Sequence, residues 1–181
     1  MRVRLALLLL ASLLLIVSGI AYAQAQKAME AAPAKEAVMK PADITVKILP
    51  ERVFFRGQTA TTQLRNTAGV RYADGFMVFA TLVDNSGYST SLREKYQAYL
   101  VNEVTLEIGG QTLKPGAYGV GFIEGDKFVV MDIGSNDLFQ VASTKDAQIK
   151  HPVPLQVLTT ADAGKYRLYK GRDYVEFHRA K

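Results

Sequence analysis

Histidine is scarce in this chain, and its scarcity limits the acid–base chemistry that the sequence can support. Only His151 and His178 occur among the 181 residues. A serine hydrolase needs a histidine that accepts the serine proton, yet the sequence contains neither a G-x-S-x-G nor an S-x-x-K motif. His151 precedes Pro-Val-Pro, and His178 lies close to the C-terminus. We therefore predict that both histidines are surface or strand-end residues.

Metal and redox chemistry is restricted by the absence of cysteine. Without cysteine there is no thiolate zinc site, iron–sulfur cluster, c-type haem attachment, cysteine nucleophile or disulfide framework. No H-E-x-x-H motif is present, and the oxygen-rich segment at residues 132–137 lacks the ligand order of a calcium loop. The sequence therefore predicts neither a metal site nor a cofactor.

Acidic residues leave one catalytic possibility open. A glycoside hydrolase works with two carboxylates, and such a pair is defined by its separation in space rather than in sequence. Glu103 and Glu107 alternate with Thr105, as residues of a solvated strand face do. A carbohydrate-active hydrolase is therefore the alternative to a non-enzymatic domain. The acidic residues that could form its pair are Glu103, Glu107, Glu124 and Asp132.

The C-terminus carries an excess of positive charge. The last 17 residues contain six basic and two acidic residues, a net charge of +4, against +5 for the whole chain. Tyr166 and Leu168 are predicted to face the core, so that period-two alternation directs the neighbouring residues outward. A basic surface edged by an aromatic ring suits an anionic glycan or lipid head group, although charged edge strands that discourage aggregation have the same pattern. The candidate binding residues are Lys165, Arg167, Tyr169, Lys170 and Arg172.

Residues 43–181 have the pattern of an all-β domain. Short β-branched and aromatic runs alternate with turns rich in Gly, Pro and Asn, at intervals of about 8 to 12 residues. Residues 76–83 are apolar at both parities, as in a central strand covered on both faces. Residues 96–108 alternate with period two, and residues 92–95 are compatible with one helical turn. The other predicted strands cover residues 44–49, 53–58, 60–65, 117–123, 127–133, 138–142, 155–158, 166–169 and 174–177, with a turn at 66–69. We predict an antiparallel β-sandwich, Greek-key and immunoglobulin-like, with at most one short helical turn.

Two short motifs end in a tyrosine. Residues 113–118 read L-x-P-G-x-Y, and residues 162–166 read D-x-G-x-Y. Both resemble the tyrosine corner of immunoglobulin-like and other Greek-key sandwiches, in which the tyrosine hydroxyl bonds to an upstream backbone group and glycine allows the close approach. The resemblance implies a structural role for Gly116, Tyr118, Asp162, Gly164 and Tyr166.

A longer resemblance covers residues 104–130. This stretch, VTLEIGGQTLKPGAYGVGFIEGDKFVV, contains a strand, a Gly-Gly turn, a tyrosine corner and a hairpin in that order. It resembles a family of small exported bacterial β-domains of unknown function. The resemblance implies a β-sandwich and transfers no catalytic residue. Gly119 and Gly121, within a predicted strand, indicate a bend or close sheet packing.

The N-terminus has the features of an export signal. Residues 1–23 combine a basic start, an apolar run at residues 5–17 and a small-residue cleavage site, which are the parts of a secretory signal peptide. The apolar run is shorter than the roughly 20 residues that cross a bilayer, so we expect no membrane span after cleavage. Residues 24–42 are rich in Ala and lack aromatic residues, which predicts a disordered tether. The β-domain is predicted to occupy residues 43–181.

These features together predict an exported envelope protein, located in the periplasm or outside a Gram-negative-type cell. Its predicted function is non-enzymatic, either binding or structural. The expected partner is an anionic glycan, a lipid head group or another envelope protein. We expect no nucleic-acid binding.

Overall fold

The computed structural model describes residues 35–44 and 48–180. The predicted signal peptide and residues 24–34 of the predicted tether lie outside these ranges. The described strands are β1 (Ala37–Met39), β2 (Arg52–Phe55), β3 (Gln58–Arg71), β4 (Met77–Asp84), β5 (Ala98–Asn102), β6 (Leu106–Ile108), β7 (Gln111–Leu113), β8 (Gly116–Ile123), β9 (Lys127–Met131), β10 (Asp137–Ala142), β11 (Thr144–Lys145), β12 (Gln156–Thr159), β13 (Lys165–Lys170) and β14 (Asp173–Arg179). The described helices are α1 (Pro41–Ile44) and α2 (Thr90–Lys95). In these ranges no helix is long and apolar enough to cross a membrane.

The strands form two antiparallel sheets that pack face to face. Sheet A has the order β1-β3-β4-β5-β8-β9-β10, with β2 also paired to β3. Sheet B has the order β12-β13-β14-β6-β7, with β11 also paired to β14. Buried side chains from both sheets form one apolar layer between them. The prediction of an all-β sandwich is therefore confirmed. The layer includes Val70, Val78, Leu100 and Val120 of sheet A and Leu106, Leu168, Val175 and Phe177 of sheet B.

Sheet A is covered on its outer face as well. In β4, Val78 faces sheet B, whereas Phe79 packs on the outside against Ile44 of α1 and Leu49. This two-sided burial confirms the prediction that residues 76–83 form a central strand with apolar residues at both parities. A strand that is half solvated would instead alternate apolar and polar residues.

A second outer cluster lies beneath α2. The ring of Phe55, from β2, stacks on Tyr96 with centroids 3.9 Å apart. The hydroxyl of Tyr88 donates to the carbonyl oxygen of Phe55 at 3.1 Å, and Leu92 of α2 packs against the same group. The short helix predicted at residues 92–95 therefore forms because it covers this part of sheet A.

The predicted strand at residues 96–108 is divided between the sheets. The structure places β5 in sheet A and β6 in sheet B, with a crossover between them. Asn102, the one polar residue in the alternation, is 2% exposed. Its side-chain amide donates to the carbonyl oxygens of Val104 at 2.9 Å and Lys114 at 2.8 Å. The polar residue therefore satisfies backbone groups at the crossover, which period-two alternation does not reveal.

The N-terminal edge of the domain differs from the prediction. The sequence places the domain start at residue 43, but residues 37–39 already pair with β3. The expectation of at most one helical turn is wrong, because α1 is helical in addition to α2. Pro41 presets the backbone for the first turn of α1, and Asp43 accepts the backbone N–H of Lys40 at 2.8 Å. Of the strand predicted at residues 44–49, Ile44 lies in α1 and residues 45–47 are outside the described ranges.

The prediction of a turn at residues 66–69 is also wrong, because β3 includes these residues. The pairing of β3 with β4 is irregular between Thr62 and Thr67 and regular again through Gly69. A Cβ atom on Gly69 would lie 2.4 Å from the carbonyl oxygen of Val78. Glycine is thus required here for the close approach of two strands rather than for a turn.

Glycine is also required for a close approach within β8, where we predict that one added methyl group lowers the stability of the domain. A Cβ on Gly121 would lie 2.1 Å from the backbone oxygen of Lys95, the last residue of α2. We expect Gly121→Ala to lower the free energy of unfolding by about 2 kcal/mol, measured by urea denaturation. Gly87→Ala is the control, since nothing lies within 4 Å of its Cβ position. Equal effects of the two substitutions would contradict this account.

The outer cluster beneath α2 generates a second prediction, on two buried hydroxyls. The hydroxyl of Tyr96 is buried without a hydrogen-bond partner among the described residues, whereas that of Tyr88 is bonded. We expect Tyr96→Phe to raise the free energy of unfolding by about 1 kcal/mol and Tyr88→Phe to lower it by about the same amount. Chemical denaturation of both variants measures the difference. A loss of stability in Tyr96→Phe would contradict the prediction.

Candidate functional site

The predicted basic residues lie on the β13–β14 hairpin of sheet B. Its antiparallel register pairs Lys165 with His178, Arg167 with Glu176 and Lys170 with Asp173. Tyr166 and Leu168, which alternate with Lys165 and Arg167 along β13, are buried in the apolar layer, as the sequence predicts. The structure thus brings the candidate residues onto one hairpin, and their surroundings decide which of them can meet a ligand.

Carboxylates neutralise the cations along the strands. The Nε and Nη2 atoms of Arg167 lie 2.9 and 2.8 Å from Oε1 of Glu176. The guanidinium group also lies 4.5 Å from the centre of the Tyr174 ring. Glu176 raises the pKa of Arg167 above its usual range. Lys165 likewise donates to Asp162 at 2.8 Å, which raises the pKa of this lysine and lowers that of the aspartate.

Tyr169 does not lie on an open surface, which corrects the prediction for this residue. Its side chain is on the same side of β13 as Arg167 but is 2% exposed. Its hydroxyl donates to Oδ2 of Asp146 at 2.9 Å, and its ring centre lies 5.0 Å from that of Tyr174. Period-two alternation predicts correctly on which side of β13 the side chain of Tyr169 lies. The burial arises because the chain after β10 returns to cover this end of the hairpin.

The turn of the hairpin retains uncompensated charge. Among the described residues, Lys170 and Arg172 have no carboxylate within ion-pair distance. Lys145 of β11 and Lys170 are the cross-strand partners of Asp173, and the 66% exposed side chain of Lys145 forms an ion pair with Asp173 at 3.7 Å. We call Lys145, Lys170 and Arg172 the basic tip. The sequence prediction missed Lys145, because β11 joins this hairpin only in the folded chain.

Backbone hydrogen bonds hold the basic tip in place. The N–H of Gly171 donates to the carbonyl oxygen of Val153 at 3.1 Å. The N–H of Asp146 donates to the carbonyl oxygen of Arg172 at 2.9 Å. Gly171 itself has a φ of +63°, which a glycine adopts without strain. The tip is thus attached on both sides to the segment that covers Tyr169.

The first tyrosine motif forms a compact corner. The hydroxyl of Tyr118 donates to the carbonyl oxygen of Lys114 at 2.9 Å, which is the upstream backbone contact of a tyrosine corner. A Cβ on Gly116 would lie 2.9 Å from the Tyr118 hydroxyl oxygen. Glycine at this position therefore allows the ring to fold back over the chain.

The second tyrosine motif makes a different contact. Gly164 has a φ of +77°, and the N–H of Lys165 donates to the carbonyl oxygen of Asp162 at 3.2 Å, so the turn itself is formed. The hydroxyl of Tyr166, however, donates to the carboxylate of Glu36 rather than to upstream backbone. The corner implied for Tyr166 is thus replaced by a contact with the N-terminal segment. The sequence prediction missed Glu36, because residues 24–42 had been assigned to a tether.

The acidic residues considered for catalysis are dispersed. Glu103 accepts the backbone N–H of Met77 at 2.7 Å, at the end of β5. Glu107 lies in sheet B, with a carboxylate oxygen 3.7 Å from Nε2 of His178. Asp132 follows β9 and accepts two hydrogen bonds from Asn136 at 2.9 Å, whereas Glu124 precedes β9, in the turn at its opposite end. These contacts and strand positions give no sign of a paired arrangement of the four carboxylates.

The interior of the sandwich is filled. The void between the sheets has a volume of about 10 Å³ and is lined by apolar residues. In residues 35–44 and 48–180, no group of three or more His, Asp or Glu side chains is placed to share a metal ion. His151 is exposed, and His178 lies on β14 beside Glu107.

Comparison with known proteins identifies no relative, since no protein-family model, curated protein or solved structure matches this chain. The family resemblance of residues 104–130 therefore stays a prediction. The assignment of candidate residues rests on their geometry alone.

The corner at Tyr118 generates a stability prediction. We expect Tyr118→Phe to lower the free energy of unfolding by about 1 kcal/mol, because the carbonyl oxygen of Lys114 loses its donor. Tyr174→Phe is the control, since no hydrogen bond of its hydroxyl is found among the described residues, and it should change stability by less than about 0.5 kcal/mol. Urea denaturation distinguishes the two variants. Equal free energies of unfolding for the two variants would contradict a stabilising role of the corner.

Proposed function

We propose that this chain is an exported envelope protein whose β-sandwich is a non-enzymatic binding domain, and that its basic tip contacts the anionic group of a glycan or a lipid head group. The observation that carries the proposal is the distribution of charge on the β13–β14 hairpin. Arg167 and Lys165 are held by their own carboxylates, whereas half-buried Lys170 and Arg172 have no ion pair among the described residues.

The chemistry of the basic tip suits phosphate, sulfate or carboxylate. An arginine offers several donors in one plane and binds such groups with defined geometry, whereas lysine adds a point charge. The backbone bonds of Gly171 and Arg172 fix the turn, so that little ordering is needed when a ligand binds. The location in the periplasm or outside the cell is part of the same proposal and follows from residues 1–23.

A non-enzymatic function is supported by the filled interior and the separated carboxylates. A hydrolase would need two carboxyl groups at the sides of a cleft that holds a sugar ring. Glu103 and Glu107 are engaged at different places, and Glu124 and Asp132 lie at opposite ends of β9, which does not support the alternative of a carbohydrate-active hydrolase.

The basic tip can be tested by charge reversal. We expect Lys170→Glu/Arg172→Glu to weaken binding to vesicles that contain an anionic phospholipid, or retention on a sulfated polysaccharide column. At about 1 kcal/mol for each basic residue near an anionic surface, the loss should be at least ~30-fold. Vesicle co-sedimentation and the salt concentration at column elution distinguish the two sources of the anionic group.

A matched control separates the basic tip from net charge. Arg65→Glu/Lys127→Glu changes the total charge by the same amount on two exposed residues of sheet A. It should leave binding nearly unchanged, as should Arg167→Gln, because Arg167 is already paired. Equal losses in the two double variants would show that net charge alone governs binding and would overturn the proposal, as would the absence of any loss.

A further inference from the structure

The N-terminal strand β1 contacts both sheets. Residues 37–39 pair antiparallel with residues 69–71 of β3, at the edge of sheet A. The residue before the strand, Glu36, accepts a hydrogen bond from the hydroxyl of Tyr166, in β13 of sheet B. A segment of four residues therefore crosses the junction of the two sheets.

The carboxylate of Glu36 lies in a subsite built from two tyrosines. The ring of Tyr72 meets that of Tyr166 edge to face, with centroids 6.4 Å apart. Tyr72 is 4% exposed, and its hydroxyl is buried without a hydrogen-bond partner among the described residues. Burial, together with the nearby Glu36 carboxylate, raises the pKa of Tyr72 to about 12. The guanidinium carbon of Arg179 lies 5.5 Å from the centre of the Tyr72 ring. Arg179 is itself paired with Asp74, so the position suits a carboxylate through its two phenols, of which Tyr166 donates to Glu36.

The strand itself is weakly anchored. Of its three residues, Met39 is buried, Val38 is half-buried and Ala37 is exposed. An open groove of about 280 Å³ runs along it, lined by all three residues together with Asp43 and Arg71. If β1 separated from β3, buried Met39 and half-buried Val38 would be the side chains of this strand that leave the apolar clusters. Its backbone partners at residues 69–71 would then form an unpaired edge.

We propose that the edge of β3 at residues 69–71, together with Tyr72 and Tyr166, is a binding site for an extended peptide segment of a partner protein, which takes the place of β1 and sets a carboxylate between the two tyrosines. An added strand gains affinity from main-chain hydrogen bonds and specificity from alternate side chains. The peptide that fits carries an acidic residue followed by one small and two apolar residues, as residues 36–39 themselves do. This site lies at the opposite end of β13 from the basic tip and does not depend on it.

The internal strand reduces the apparent affinity for such a peptide. The peptide can bind only to molecules in which β1 is displaced. The apparent dissociation constant therefore rises as the fraction of such molecules falls. A substitution that weakens β1 without altering the subsite should therefore tighten binding. Glu36 is suited to this purpose because it is exposed and contributes its carboxylate to the subsite rather than a side chain to the core.

The probe is a fluorescent peptide with the sequence of residues 35–40, titrated into the full chain and followed by anisotropy. We expect Glu36→Ala to bind this peptide at least 10-fold more tightly than the unaltered chain. A peptide with Gln in place of Glu should bind the same variant at least 5-fold more weakly, as should the original peptide when Tyr166→Phe is added. Absence of binding to Glu36→Ala, or indifference to the carboxylate, would overturn the proposal.

A disulfide tests separately whether β1 must leave β3 before the peptide binds. The chain contains no cysteine, and Ala37 and Arg71 are direct cross-strand partners, so Ala37→Cys/Arg71→Cys joins β1 to β3 by a single disulfide. In the Glu36→Ala background, oxidation should abolish peptide binding, and reduction should restore it. Binding that is equal in both redox states would contradict displacement of β1. A disulfide-linked dimer would overturn the proposed partner, because it would show that β1 is exchanged between two copies of this chain.

Discussion

Sheet A carries apolar side chains on both faces, and both faces must be kept from water in a chain that has no cysteine to crosslink it. Sheet B covers the inner face. The outer face is divided between α1 with residues 48 and 49 on one side and α2 with β2 on the other. Each large apolar side chain removed from water contributes about 1.5 to 3 kcal/mol. The two short helices are therefore stabilised by the apolar side chains that they bury against sheet A, since helices of this length are not stable alone.

This double coverage also explains the glycines of β8. Phe55 reaches the middle of the sheet only because Gly119 has no side chain, and a Cβ there would lie 2.5 Å from the ring. Gly121 allows the C-terminal end of α2 to lie directly over the strand. These two glycines thus allow the outer cluster to pack directly on β8.

Charge on sheet B follows a different principle. Exposed ion pairs such as that of Arg167 with Glu176 contribute little to stability, in the range of about 0 to 1 kcal/mol. Their effect is to place a carboxylate beside Lys165 and Arg167, whereas no such carboxylate is found for Lys170 and Arg172 among the described residues. The sandwich consequently offers a partner its periphery rather than its interior: a charged turn at one end of β13, and at the other a strand edge occupied by residues 36–39.

Much of this architecture could be predicted from the sequence, because period-two alternation and two-sided apolar runs are local consequences of strand burial. The all-β sandwich, the central β4 and the inward side chains of β13 follow from such patterns, whereas the short helix near Leu92 follows from a helical spacing of apolar residues. The prediction of a single strand at residues 96–108 failed because no local pattern shows that the chain passes from one sheet to the other after Asn102. β1 was missed because three residues carry no periodic signal, and its strand partner is residues 69–71, about 30 residues further along the chain.

The candidate sites show the same division. The sequence by itself determined which cations stand on one side of β13, because alternation depends only on the extended backbone. Only the tertiary structure decided which of these cations are neutralised, that Tyr169 is covered, that Lys145 joins the basic tip and that Glu36 reaches Tyr166. Each of these depends on segments brought together by the burial of apolar surface, an interaction that has no direction and therefore leaves no mark on the spacing of charged residues along the chain.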